Sequence, residues 1–137
     1  AGVPVTSESP TDHPHHNSVW VGADHVTALL PFGEDRVEEA NYSFYINQTF
    51  QGRAAGHIVA RSLDPQTVTD DHLQLVQTLD WMGPVEWGAP EGRTIGQETR
   101  TTSIRHLAGH AGDQSAFLID VTCELTSAAW PLRIGRG

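Results

Sequence analysis

Apolar and polar residues alternate most clearly in the second half of the chain. Over His72–Trp81, leucine and tryptophan occupy odd positions and mostly polar residues occupy even ones. Ser115–Leu125 repeats this pattern. A period of two is that of a β-strand with one buried face, so each stretch is predicted to be a half-buried strand. The residues predicted to face an apolar layer in the second stretch are Phe117, Ile119, Val121, Cys123 and Leu125.

Weaker strand patterns and turn residues fill most of the remaining chain. The acidic stretch Glu34–Ala40 lacks Gly and Pro, and it predicts one or two turns of helix. The chain has 13 Gly and 8 Pro, which supply turns between short elements. Six or seven short strands separated by turns predict an all-β fold, an antiparallel β-sandwich. The weaker strand predictions are Ser18–Val21, Asp24–Leu30, Tyr42–Phe50, His57–Leu63, Thr94–His106 and Trp130–Ile134.

The chain is long enough for one domain, but its apolar content is low. Hydrophobic residues make up 38% of it, below the usual share for a compact domain. The last predicted strand, Trp130–Ile134, begins shortly before Gly137, and a sandwich that stops there leaves an unpaired edge. We therefore expect residues 1–137 to be a single β-sandwich segment of a larger domain. A second polypeptide chain is expected to complete it.

Charge and composition exclude several classes of function. The net charge is −9, so binding to nucleic acid or to anionic lipid is not expected. Apolar runs are too short to span a bilayer, and a cytoplasmic location is expected. Lys is absent, which excludes Schiff-base chemistry by this chain. The single Cys123 excludes an internal disulfide and is predicted to be a buried core thiol rather than a nucleophile.

The densest chemical signal is a histidine run near the start of the chain. Asp12–His16 contains three imidazoles and a carboxylate, groups that bind divalent metals or transfer protons. Pro14 prevents a regular helix, so in an extended segment His13 and His15 point to one side. A metal site would need a further ligand from elsewhere. The candidates for that ligand are His25, His57, Glu98 and His106. The alternative, a surface cluster held by hydrogen bonds, stays open, since the spacing matches no standard zinc signature.

A second signal lies in the Thr-rich strand predicted over Thr94–His106. Glu98 and Arg100 project to the same face, where Glu98 is a candidate metal ligand or general base. Arg100 is a candidate for binding a substrate carboxylate or hydroxyl. The alternative is a structural ion pair. Tryptophans are more often core residues than sugar platforms, and Trp87, in a Gly/Pro-rich loop, is the best candidate for a ligand-facing ring.

These residues resemble a known protein family. Asp12–Trp20, with Gly56–Ile58, Trp81, Gln97–Arg100 and Arg133, resembles a bacterial family of unknown function often labelled methane oxygenase PmoA-like. The resemblance implies a β-sandwich of sugar and small-metabolite catabolism, similar to mutarotase-type supersandwiches. This chain has Asn17-Ser18 where the family usually has Arg-Gly. Family members are longer, so the chain resembles a middle portion.

Together these patterns favour an enzyme subunit. The predicted activity is that of a hydrolase or lyase acting on a small polar cyclic or carbohydrate-like substrate. Two alternatives are a non-catalytic sugar-binding or scaffolding subunit of a hetero-oligomer, and a fragment of a self-processed hydrolase precursor. The metal is left open, with His13, His15 and Glu98 as candidate ligands. The predicted catalytic residues are His13, His15, His16, Glu98 and Arg100, and the predicted substrate-binding residues are Trp20, His57 and Trp87.

Overall fold

The computed structural model describes residues 21–86, 88–109 and 115–135. These residues form two four-stranded sheets and contain no helix, which confirms the all-β, sandwich-like fold. The strands are β1 (Val26–Phe32), β2 (Arg36–Ser43), β3 (Ala54–Ala55), β4 (His57–Val68), β5 (His72–Met82), β6 (Thr94–Leu107), β7 (Ala116–Ser127) and β8 (Leu132–Ile134). The sheet orders are β3-β2-β1-β8 and β4-β5-β6-β7. All paired neighbours are antiparallel except β2 and β3.

The smaller sheet is built on the hairpin of β1 and β2. A turn at residues 33–35 connects them, with Gly33 at φ 72°, a conformation that glycine adopts without a steric cost. The helix predicted over Glu34–Ala40 is wrong, because Glu34 lies in the turn and Arg36–Ala40 pair with β1 as part of β2. Glu38 and Glu39 lie opposite Leu30 and Leu29 and are exposed. Sheet pairing here outweighs a weak local helix preference.

The larger sheet contains the four longest strands. The strands predicted over residues 72–81, 94–106 and 115–125 are confirmed as β5, β6 and β7. β4 continues to Val68, so the predicted end of this strand at Asp64-Pro65 is wrong. In the described sheet β4 lies at an edge, where a proline is tolerated because its missing N–H need not serve a neighbouring strand.

The core lies between the two sheets, at the end of the larger sheet that carries Trp81. Phe44 and Trp81 contact each other with ring centroids 4.6 Å apart. The predicted strand over Tyr42–Phe50 is wrong beyond Ser43, where the chain bends and turns Phe44 into this core. There the backbone N–H of Phe44 donates a hydrogen bond to the carbonyl of Ala23 (2.7 Å). The buried cluster consists of Val26, Ala28, Tyr42, Phe44, Trp81 and Ile95.

The apolar face of the larger sheet extends beyond this core. We call the face of the larger sheet that carries Trp81 the inner face. Leu63, midway along this face, is 56% exposed, and Val68 and Phe117, at its far end, are 71% and 48% exposed. The register of β6 and β7 places the five alternating apolar residues of β7 on this face, as predicted. The prediction that Cys123 is buried is wrong, because its part of the face is exposed.

Replacing Gly56 by alanine should destabilise the fold. An added Cβ would lie 2.5 Å from Cε1 of Phe44, whose ring is buried and cannot move without disturbing Trp81. We expect the free energy of unfolding to fall by about 1–3 kcal/mol, the usual cost of overpacking. Gly88→Ala is the matched control, since no neighbouring atom in the described part of the chain lies within 4 Å of its added Cβ. Urea unfolding that gives equal stabilities for the two variants would contradict this account.

Candidate functional site

A cluster of charged side chains forms where the chain enters the smaller sheet. Asp24 and His25 precede β1, and Arg53 precedes β3. A tight turn at Gln51 (φ 49°) and Gly52 (φ 77°) positions Arg53. Backbone hydrogen bonds of 3.1 and 3.0 Å between Phe50 and Arg53 close this turn. The turn thus brings the guanidinium to the two residues that begin the sheet.

Arg53 connects the other polar groups of the cluster. Its Nη1 lies 2.6 Å from Nε2 of His25, and its Nη2 lies 3.3 Å from Oδ2 of Asp24. Nη2 also donates to Oε1 of Gln51 (3.1 Å), and the buried Ser43 hydroxyl donates to Oδ1 of Asp24 (2.7 Å). A guanidinium only donates, so Nε2 of His25 accepts, and the neutral imidazole carries its proton on Nδ1. The contacts fix the orientation of both the imidazole and the carboxylate.

Within this cluster, His25, Gln51 and Arg53 border a cavity of about 190 Å³. Thr27 and Asn41 line it as well, and the Thr27 hydroxyl donates to Oδ1 of Asn41 (2.8 Å). Nε of Arg53 is buried and has no hydrogen-bond partner within the described ranges. Such a group costs about 1–3 kcal/mol and calls for an explanation. The cavity is therefore lined by donors and acceptors, and the Arg53 side chain that borders it carries one buried donor with no partner among the described residues.

Glu98 and Arg100 form an ion pair on the inner face of the larger sheet. Nε and Nη2 of Arg100 donate to Oε1 and Oε2 of Glu98 at 2.7 and 3.0 Å, and Nε1 of Trp81 donates to Oε2 at 2.7 Å. This geometry confirms that Glu98 and Arg100 share a face. The Glu98 side chain is fully buried, and that of Arg100 is 13% exposed. The pair is bidentate, the strongest form of such contacts.

The pKa values of this group follow from burial and from the ion pair. Burial by itself raises the pKa of Glu98, but hydrogen bonds from Arg100, Trp81 and Cys123 outweigh it and lower that pKa below 4.5. The pKa of the Cys123 thiol is raised, first by desolvation and then by the Glu98 carboxylate. Cys123 therefore stays protonated near neutral pH and is a poor nucleophile.

The structure brings together some of the predicted site residues. His13, His15, His16, Trp20 and Trp87 lie outside the described residues. His57 is exposed at the start of β4 and is not among the hydrogen-bond partners of Glu98. The ring of His106 lies 5.2 Å from that of Phe117, measured between centroids. Of the four residues proposed as a further metal ligand, His25 is the one that lies in the Arg53 cluster.

Sequence reasoning did not single out Asp24 and Arg53. The available signals were the adjacent pair Asp24-His25 and the Gly-Arg turn at residues 52–53. Neither is specific alone, because the three residues meet only through the fold. Over residues 21–86, 88–109 and 115–135, no group of three or more His, Cys, Asp or Glu side chains is arranged to hold a metal ion. Within the same ranges no helix is long and apolar enough to cross a membrane.

Comparison with known proteins assigns a family. The whole chain, residues 1–137, matches the profile of a family described as a family of unknown function (DUF6807). The chain belongs to the DUF6807 family. No curated protein and no solved structure matches it. The description of DUF6807 names no activity. The resemblance to a family labelled methane oxygenase PmoA-like and the catalytic or metal-binding role of the His-Pro-His-His run therefore stay predictions.

Proposed function

We propose that this DUF6807 chain is part of an enzyme, a hydrolase or lyase, that acts on a small polar, carbohydrate-like substrate. Asp24, His25 and Arg53 bind the substrate in this proposal, and the histidine run Asp12–His16 supplies acid/base groups. The observation that carries it is the buried, unpaired Nε–H of Arg53 beside a polar cavity. A substrate oxygen is the natural acceptor for such a donor, because buried polar groups are almost always hydrogen-bonded.

The charges of the cluster favour a neutral, oxygen-rich ligand. The Asp24 carboxylate lies 3.3 Å from Arg53 and offsets its charge, so the attraction for a strong anion is weak. The Nδ1–H of a neutral His25 is a further donor, and Asn41 offers an amide. This mixture of donors and acceptors suits hydroxyl and ring oxygens.

The size of the cavity limits what part of a substrate it holds. A cleft for a drug-sized ligand usually measures about 300–1,000 Å³, against about 190 Å³ here. The cavity therefore suits one small ring or the end of a longer molecule. His16 precedes Asp24 by eight residues, a distance of at most about 28 Å along an extended chain. Chain length thus allows the histidine run to act on a substrate held by Arg53.

Substitution of Arg53 or His25 should weaken substrate binding. The complete protein is first incubated with a panel of neutral monosaccharides, their lactones and their glycosides, and product formation is followed by proton NMR. With the substrate so found, we expect Arg53→Lys and His25→Gln to raise KM about tenfold or more, because a charge-assisted hydrogen bond is lost or misplaced. Arg105→Lys and His72→Gln are the matched controls, since both residues lie in the larger sheet. Equal KM values for all four variants would refute a substrate site at Arg53.

We further propose that a second polypeptide chain covers the exposed end of the inner face. Leu63 and Val68 are more than half exposed on this face, and Phe117 is 48% exposed. Exposed apolar side chains gathered on one face usually mark an interface. Sedimentation velocity of the purified protein should therefore give a species heavier than 14.9 kDa. Val68→Asp should shift it toward the monomer, whereas Val85→Asp, at an exposed loop position, should not. A stable wild-type monomer would argue against this partner and against the scaffolding alternative.

A further inference from the structure

A second cavity lies on the face of the larger sheet opposite Trp81. It measures about 470 Å³, and side chains from all four strands line it. The strand register arranges these side chains in two rows. One row runs through Asp80, Gln97 and Thr126, and the other through Thr78, Thr99 and Glu124. We call this cavity the outer groove.

A β-bulge in β4 shapes one wall of the outer groove. The register shifts between Ala60 and Ser62, so the extra residue Arg61 joins Ser62 on the outer face. Bulges redirect side chains in this way and are frequent beside functional sites. Nε of Arg61 donates to Oδ2 of Asp80 at 2.7 Å, and the hydroxyls of Ser62 and Thr78 lie 2.8 Å apart. The Asp80 side chain is 17% exposed, so the groove contains a carboxylate held in a fixed orientation.

The chemistry of the lining selects the class of ligand. Among the described residues, no side chain with an aromatic ring lines the groove, which disfavours a flat apolar molecule. Glu98 also borders the groove, but its carboxylate pairs with Arg100 on the inner face. Among the described side chains of the outer face, the carboxylates of Asp80 and Glu124 outnumber the cation Arg61. Because the whole chain carries −9 as well, an anion is repelled. The remaining groups are hydroxyls and an amide, spaced about 4.8 Å apart across the strands. These groups exchange hydrogen bonds with a neutral ligand that carries many hydroxyls.

We propose that the outer groove binds a neutral oligosaccharide of two or three sugar rings. The volume falls within the usual range for a ligand of that size. Arg61 and Asp80 hold the groove in shape and offer a donor and an acceptor, and Gln97 and Thr99 contact hydroxyls along the chain. This site is separate from the Arg53 cavity and does not depend on the function proposed for it.

The test is an NMR titration of the complete protein with maltotriose, cellotriose and xylotriose, and with a trimer of galacturonic acid as the charged counterpart. We expect at least one neutral trisaccharide to shift the amide signals of Gln97, Thr99 and Glu124 in a saturable manner. The galacturonic acid trimer is expected to bind at least about fivefold more weakly, because of the carboxylates in the groove. No saturable shift at the groove with any of the three neutral sugars would overturn the proposal.

Variants then assign the binding to the groove. The double variant Q97A/T99A should weaken the trisaccharide at least about tenfold, since it removes two hydrogen-bonding side chains. Thr122→Ala is the matched control. Thr122 lies on the outer face of β7, as Glu124 does, but it pairs with Thr101 and does not line the groove. Melting temperatures verify that each variant is folded. Equal affinities of Q97A/T99A and wild type would overturn the assignment, even if the sugar binds elsewhere on the protein.

Discussion

Replacing Glu98 by alanine should destabilise the protein by about 3–5 kcal/mol, the usual cost of removing one partner of a buried ion pair. The Arg100 side chain is 13% exposed, and in the variant its guanidinium loses the Glu98 carboxylate with which it pairs. It also removes the acceptor for the indole N–H of Trp81, a core residue. Urea unfolding of wild type and variant measures the difference.

An exposed pair provides the matched control for this result. Glu39 and Arg133 join β2 to β8 at 3.2 Å, and their side chains are 51% and 61% exposed. Glu39→Ala should therefore cost less than about 1 kcal/mol. If Glu98→Ala costs no more than Glu39→Ala, the pair is not structural, and the catalytic role predicted for Glu98 gains support.

The same pair should make stability depend on pH at the acidic end. The pKa of folded Glu98 lies below its ordinary value of 4.5, because the hydrogen bonds and the Arg100 charge outweigh burial. The ion pair of Glu98 stabilises the fold fully above the pKa that Glu98 has in the unfolded chain. This stabilisation is lost as pH falls through the lower pKa of Glu98 in the folded protein, because the unfolded chain binds more protons. Glu98→Gln should flatten the fall in stability below about pH 4.5. A variant whose acid unfolding parallels that of wild type would contradict this assignment.

The alternation of apolar and polar residues along the strands allowed much of the larger sheet to be predicted. Glu98 and Arg100 are two residues apart, and a strand places such residues on one face, where they form the ion pair. The same rule placed Phe117 and Cys123 together. It did not predict their exposure, because exposure depends on what lies opposite the face. Periodicity alone carries no information on that.

Other features depended on contacts distant in sequence. The strand at Arg36–Ser43 forms because β1 pairs with it, although its acidic residues suit a short helix. Asp24 and Arg53 are 29 positions apart and meet through a turn with Gln51 at φ 49°. Neither residue belongs to a recognisable motif. Sequence could suggest His25 as a candidate, but only the fold could supply its partners.

Alanine in place of His15 or His16 should lower kcat about a hundredfold or more, if these imidazoles transfer protons in the reaction. The reason is electrostatic. Three imidazoles near Asp12 repel one another when protonated, and the neighbouring carboxylate favours proton uptake. One imidazole can then be protonated while another is neutral near physiological pH, as acid/base catalysis requires. The measurement is kcat and KM with the substrate identified by the NMR screen.

The pattern of kinetic effects separates the histidine run from the Arg53 cavity. Loss of an acid/base group lowers kcat. Loss of a contact that binds the substrate and the transition state equally well raises KM instead. His15→Ala and His16→Ala should therefore affect kcat, and Arg53→Lys should mainly affect KM. His72→Ala is the control, because His72 contacts Ser103 at 3.0 Å in the larger sheet. Full activity in both histidine variants, with loss in Arg53→Lys, would move the acid/base role from the run to His25 and Asp24.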